Sequence, residues 1–238
     1  MLVKVGDHND QVKRVQEWLC YNKIYVSIDS DFGPATKAAV KKFQENKNLS
    51  VTGIVNDVVW SLLNYPIDFL NKPFILNSTT TLSVAIAEVS FHHYIVRPIE
   101  IGGQNRGPFV RYYMNGKDGV DYPWCAGAAS TIVLQAFKLL NISPYKKFSY
   151  QMGCDALYSD AKRYNTLVAA PSVGGLFLSY DSSNPSDCTH VGIVTSVDKK
   201  NKIFNSIEAN TNDSGSREGF EYVPRIRSFT NKYFINLG

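Results

Sequence analysis

Residues 121–130 read Asp-Tyr-Pro-Trp-Cys-Ala-Gly-Ala-Ala-Ser, and the fold turns on how they are read. Pro123 cannot sit inside a helix but suits a first turn, so a helix opens here. It runs through Ala126–Leu140 and stops near Asn141, with Pro144 just beyond. Cys125 falls in the first turn, where unpaired backbone N–H groups favour an anion and push a thiol toward thiolate. No charged residue occurs between Cys125 and Phe137, so the helix is buried on most sides. A rigid buried helix that presents a thiol at its start is a scaffold for a nucleophile. The plainer alternative is a small buried hydrophobe, the usual fate of a free cysteine.

Downstream, two segments supply partners. His190 begins the strand His-Val-Gly-Ile-Val-Thr-Ser-Val, and Glu208 and Asn210 end Ile-Phe-Asn-Ser-Ile-Glu-Ala-Asn. The polar run Asp198–Lys202 joins them as a hairpin. Alternation puts Glu208 and Asn210 on one face. A turn centred on Lys199 or Lys200 sets His190 opposite one or the other, with Val191, Ile193 and Val197 together on the far face. Packed on the start of the cysteine helix, the hairpin completes a Cys–His–Glu/Asn set. In it the thiolate attacks, the imidazole moves the proton, and the third residue fixes the ring.

At 238 residues, with 44% apolar and 19% charged, the chain has the composition of an ordinary globular protein with one large or two small cores. Its apolar runs are too short for a membrane span. Lys and Arg number 8 against 7 acidic residues in 1–64, and 17 against 14 in the rest. No basic stripe points to nucleic acid. The start, Met-Leu-Val-Lys-Val-Gly-Asp, has no signal-peptide core. Synthesis in the cytoplasm is therefore expected, with action on a wall after lysis-linked release or dedicated export. Cys20, Cys125, Cys154 and Cys188 lack zinc-ribbon spacing, and nothing picks disulfide partners. Cys188, His190 and Cys154 match no closed metal site, so no metal or cofactor is expected.

Residues 1–64 repeat a theme. Val12-Lys13-Arg14-Val15-Gln16 returns 28 residues later as Val40-Lys41-Lys42-Phe43-Gln44, each in a helical pattern. A third helix follows Asn56 as cap and buries Val59, Trp60 and Leu63. The expected first domain is thus a three-helix bundle, 1–64. A linker, 65–80, carries Pro66 and Pro73, and a second domain spans 81–238. Within that domain Leu82–Val89 reads as a helix, with His92 and His93 as helix-end or surface residues. Strand signals follow at 176–180, 191–197 and 203–207, with further short strands near Tyr222, Ile226 and Phe229–Ile235.

Two resemblances add to this. Gly6…Val12-Lys13…Gln16…Leu19, Asp31-Phe32-Gly33-Pro34-Ala35-Thr36…Phe43-Gln44 and Val51-x-Gly53-x-Val55…Trp60…Leu63 together resemble the peptidoglycan-binding domain 1 family. That resemblance implies a non-catalytic wall-binding module. The second rests on Pro123-Trp124-Cys125-Ala126, Thr189-His190-Val191-Gly192-Ile193-Val194 and Ile207-Glu208-Ala209-Asn210-Thr211-Asn212. These resemble the CHAP group of papain-like and NlpC-like cysteine hydrolases, although many members carry an aromatic after the cysteine. It implies an α+β papain-like domain with Cys125 as nucleophile, His190 as base, and Glu208 with Asn210 as orienting pair. Together they imply a monomeric, endolysin-like peptidoglycan hydrolase cutting a wall-peptide amide through a thioester. The Cys125 N–H would be one oxyanion donor, with Tyr122 and Gln104 candidates for the other. A catalytically inactive wall-binding protein, an exported antibacterial effector with the same chemistry, and a cysteine enzyme acting on another amide are the competing identities.

Overall fold

The computed structural model describes residues 2–77, 79–212 and 219–238. Its first three helices are α1 (Asp10–Tyr21), α2 (Pro34–Asn46) and α3 (Asp57–Asn71). The Asn9 side chain caps α1 by accepting from the N–H groups of Gln11 and Val12, and Asn56 caps α3 through Val59 N–H at 3.0 Å. The repeat has a structural meaning carried by its glutamines. Buried Gln16 donates to Asp29 Oδ1 at 2.7 Å and accepts from the N–H groups of Asp29 and Ser30. Gln44 does the same for the next loop, donating to the Ile54 carbonyl and accepting from Gly53 N–H at 2.8 Å. Each glutamine ties its helix to the loop that follows, satisfying turn groups that a small core shuts off from water.

Helix α3 continues through Asn71, so 65–71 of the expected linker is helical. Pro66 removes one N–H from it, yet buried Leu63, Pro66 and Leu70 hold that side of the helix against the core.

Next come α4 (Leu82–Ile95), α5 (Pro108–Tyr113), α6 (Cys125–Leu139) and α7 (Cys154–Arg163). The strands are β1 (Leu167–Val168), β2 (Leu176–Asp181), β3 (Asn184–Asp198), β4 (Ile203–Thr211), β5 (Glu221–Ser228) and β6 (Lys232–Ile235). They form an antiparallel sheet in the order β1-β6-β2-β3-β4-β5. The molecule is therefore mixed helix and antiparallel sheet, with Ala129 and Ile132 of α6 against Val191, Ile193 and Ile207. Each such aliphatic side chain contributes about 1.5–3 kcal/mol on burial. Gly127 lets α6 approach the end of α5: a Cβ there would stand 2.4 Å from the Tyr113 carbonyl oxygen.

Of the helix-end and surface alternatives for His93, the helix end holds, since it stands in the last turn of α4. It lies fully buried on α4, with Nδ1 2.9 Å from Tyr113 Oη and Nε2 2.8 Å from Gln135 Oε1. Its neighbour His92 stacks on Phe69 at 4.3 Å and Phe74 at 4.7 Å.

The apolar core is continuous from Val3 to Leu237. Trp18 and Tyr21 of α1 pack edge-on against Phe109 of α5, at 5.5 and 5.4 Å. Beside them Arg111 of α5 grips Glu17 of α1 with both guanidinium nitrogens and reaches Asp118 at 2.5 Å. Among the described residues no helix is long and apolar enough to cross a membrane.

Candidate active site

Cys125 is the first residue of α6, preceded by Trp124 as N-cap, which makes no side-chain capping bond. The first-turn N–H groups of α6 therefore have no side-chain cap from Trp124, which favours an anion at this helix start. Trp124 is the anchor: its indole N–H donates to Glu100 at 3.0 Å, and its ring stacks on Tyr113 at 5.6 Å. Glu100 also accepts from Asn105 N–H at 2.8 Å, which ties the 102–107 loop to the same point.

His190 Nε2 donates to Glu208 Oε2 at 2.8 Å. The imidazole lies close enough to the Cys125 thiol for each group to favour the charged form of the other, and the Val191 N–H favours the thiolate as well. The structure thus brings Cys125, His190 and Glu208 into one chain of contacts.

The geometry that allows this differs from simple alternation. Near the site the β3–β4 register pairs Ile193 with Ile207 and Val194 with Ser206. Gly192, not His190, lies against Glu208: a Cβ on Gly192 would stand 2.6 Å from Glu208 Cγ and 2.8 Å from Phe177. The missing side chain lets the carboxylate lean along the strand to the histidine. A ladder irregularity between Val194 and Ser196 moves Val197 to the side of Phe204, away from Val191 and Ile193. A second irregularity lies between Glu208 and Thr211 on the β5 side, and Asn210 within it has φ 54°. Asn210 is buried.

Arg227 of β5 and Ser206 of β4 were not singled out by the sequence. Arg227 donates from Nε to Glu208 Oε1 at 2.9 Å and from Nη2 to Oε2 at 2.6 Å, while Ser206 Oγ donates to Oε1 at 2.6 Å. Both oxygens of a fully buried carboxylate are therefore held. Burial pushes Glu208 up, but the Arg227 guanidinium and His190 outweigh it and hold the group at about 2. Burial likewise pulls His190 down, and Cys125 and Glu208 outweigh it, raising the imidazole to about 9. Cys125 lies well below the usual thiol value. A hydrogen bond from Cys154 is the largest cause, opposed by burial and reinforced by His190 and Val191 N–H. The shifts favour charges that alternate along the row, Cys125 thiolate, His190 imidazolium and Glu208 carboxylate, with the half-buried Arg227 guanidinium at its end.

Cys154, weighed in the sequence only as a metal ligand or disulfide partner, stands at the site as well. It opens α7 as Cys125 opens α6, and the two sulfurs stand 3.8 Å apart. Tyr122 is half-buried and Gln104 exposed; Tyr122 N–H is bonded to the Gly119 carbonyl. Among the described residues no three His, Cys, Asp or Glu side chains are grouped to hold a metal. Cys125 is 5% exposed and His190 8%. A roomier cavity, about 460 Å³, opens on a different face of α6, beside Tyr112, Gln135 and Lys138.

Residues 8–63 match the family described as putative peptidoglycan binding domain. An uncharacterized protein in the bpoA1 3' region of Kitasatospora aureofaciens is 43% identical over 66 residues, 27% of this chain and 56% of that one. The chain thus spans little more than half the length of that curated relative. A solved peptidoglycan-binding protein from Clostridioides difficile, in complex with glutamine hydroxamate, is 35% identical over 26% of this chain and 40% of its own, with a TM-score of 0.26. A Burkholderia AP3 phage endolysin is 18% identical over 69% of this chain and 62% of its own, also with a TM-score of 0.26. The family match gives residues 8–63 a cell-wall-associated role.

Proposed function

We propose that the chain is a peptidoglycan hydrolase of endolysin type, in which residues 8–63 hold the wall and Cys125 cleaves an amide of its peptide. The observation that carries this is the contact row Cys125–His190–Glu208, with the thiol depressed and the imidazole raised. An amide is a poor electrophile with a poor leaving group, and this arrangement addresses both difficulties. The Cys125 thiolate attacks the carbonyl carbon, and the negative charge on its oxygen meets the Cys125 N–H at the start of α6. One such donor is worth about 3–4 kcal/mol. His190 gives its proton to the leaving nitrogen, so the amine departs neutral and a thioester remains. The neutral imidazole then takes a proton from water, which hydrolyses the thioester and restores the thiolate. Glu208 keeps the ring aligned through both halves, and Arg227 keeps Glu208 ionised. The chemistry calls for no metal or cofactor.

The 5% exposure of Cys125 favours one competitor, a wall-binding protein whose thiol never meets substrate. One assay separates the two. Purified sacculi incubated with the protein should release soluble muropeptides whose masses name the broken amide, and Cys125→Ala should release none while still co-sedimenting with the wall. Release by the alanine variant, or none by the native protein on walls of several chemotypes, would overturn the proposal.

A further inference from the structure

Two buried thiols meet beside α6, Cys125 and Cys154. Hydrolysis uses only the first. Cys125 and Cys154 each open a helix, and their sulfurs are already in van der Waals contact at 3.8 Å. A disulfide needs about 2.05 Å, so the sulfurs must close by roughly 1.8 Å, within reach of side-chain torsions and a small shift of one helix start. Gly153, the N-cap of α7, has open space where a Cβ would stand, so the backbone that carries Cys154 has room to move. The two thiols are also unlike. Cys125 is held toward thiolate by hydrogen bonds, whereas the neighbouring Cys125 and burial push Cys154 well up, keeping it protonated. One is fit to attack an oxidant, the other to wait as a reserve.

We propose that Cys125 and Cys154 form a reversible disulfide, a modification site whose oxidant is a hydroperoxide. The Cys125 thiolate attacks the distal peroxide oxygen and breaks the O–O bond. With a proton from His190, water or an alcohol leaves and Cys125 becomes a sulfenic acid. Cys154 then surrenders its proton, its sulfur attacks the sulfenic sulfur, and the hydroxide expelled takes that proton as water. Two thiols are oxidised by two electrons and one peroxide is reduced. A dithiol reductant reverses the change by thiol–disulfide exchange, becoming a cyclic disulfide itself. Because the nucleophile is consumed in the bond, oxidation silences the site and also shields Cys125 from irreversible sulfinic acid.

The test needs no hydrolase substrate, so it stands apart from the proposed function. The full chain is treated with hydrogen peroxide, remaining thiols are blocked with iodoacetamide, and the digest is mapped by mass spectrometry. A Cys125–Cys154 cross-linked peptide should appear and vanish on dithiothreitol, with loss and recovery of Cys125 alkylation. In Cys154→Ser and Cys154→Ala, each checked for folding by its melting curve, Cys125 should run on to sulfinic acid under the same dose. A cross-link to Cys188 instead, or sulfinic acid at Cys125 in the native chain without a cross-link, would overturn the proposal. If neither variant folds, the native cross-link map decides alone.

Discussion

Gly192 stands so close to Glu208 that a single added carbon would lie 2.6 Å from the glutamate's Cγ. Glycine here is a space requirement, because the lean of Glu208 toward His190 passes over that position. Gly192→Ala should cost about 1–3 kcal/mol in stability by overpacking. Turnover should fall further than the loss of folded protein explains, because the carboxylate is pushed off the imidazole. Urea unfolding and turnover on soluble wall fragments, measured on one preparation, check both. An unchanged turnover would detach Glu208 from the chemistry.

The pH profile follows from the charge row. The reactive pair exists once Cys125 has lost its proton, which its depressed value allows well below the ordinary thiol range. It fails as pH rises through about 9, where His190 gives up its proton. Alkylation of Cys125 by iodoacetamide should therefore be fast at neutral pH, and turnover should decline on the alkaline side near 9. Glu208→Gln removes a carboxylate that raises His190, so its alkaline limb should move to lower pH and its turnover drop. Asn210→Ala should cost less and leave the limb in place. Kinetics of the three folded proteins from pH 5 to 10 would rank them, and the reverse ranking would make Asn210 the orienter.

Buried His93 sets an acid sensitivity of its own. Burial lowers it to about 3, opposed by its bond to Gln135, so it stays neutral when folded and takes a proton when unfolded near 6.5. Its folded value is depressed, so protonation favours the unfolded chain. Stability should fall by about 1.4 kcal/mol per pH unit as pH drops below 6.5. His190 adds no slope there, because it is charged in both states below 6.5. Urea midpoints between pH 6.5 and 5 should slope less steeply in His93→Gln than in the native protein, where Cys125 adds a slope of the same sign. Equal slopes would refute the assignment.

Glu17 is 1% exposed, and Arg111 compensates its charge across the contact between α1 and α5. Removing one partner strands a buried ion. Arg111→Ala should cost about 3–5 kcal/mol, while the double change Arg111→Met with Glu17→Leu should recover most of it. Thermal melts of the two proteins decide. A double variant as weak as the single one would mean that packing, not charge, is at stake.

What could be read from the residues was local. The cap at Asn56 and the Asp198–Lys202 turn each act within a few positions, so their chemistry shows in the string. The same holds for Cys125 at its helix start. Tertiary partners did not show. Arg227 reaches Glu208 only because β5 pairs with β4, and Cys154 reaches Cys125 only because two helix starts converge. Ladder irregularities carry no compositional mark, so Val197 was assigned a face by an alternation the backbone breaks. His93 was read as a helix-end or surface residue, and it does close α4, but its burial depends on Tyr113 and Gln135, which only the tertiary fold brings to it.

The seam of Trp18, Tyr21, Phe109 and the Glu17–Arg111 pair bears on how such a protein would travel over a surface. A head and a blade joined by a floppy tether sweep a disc and cut wherever the tether allows. Here the helices that would grip are welded to the layer that carries the thiol. Each anchoring event would then bring the blade to one offset and one heading, like a pair of callipers locked at a single gauge.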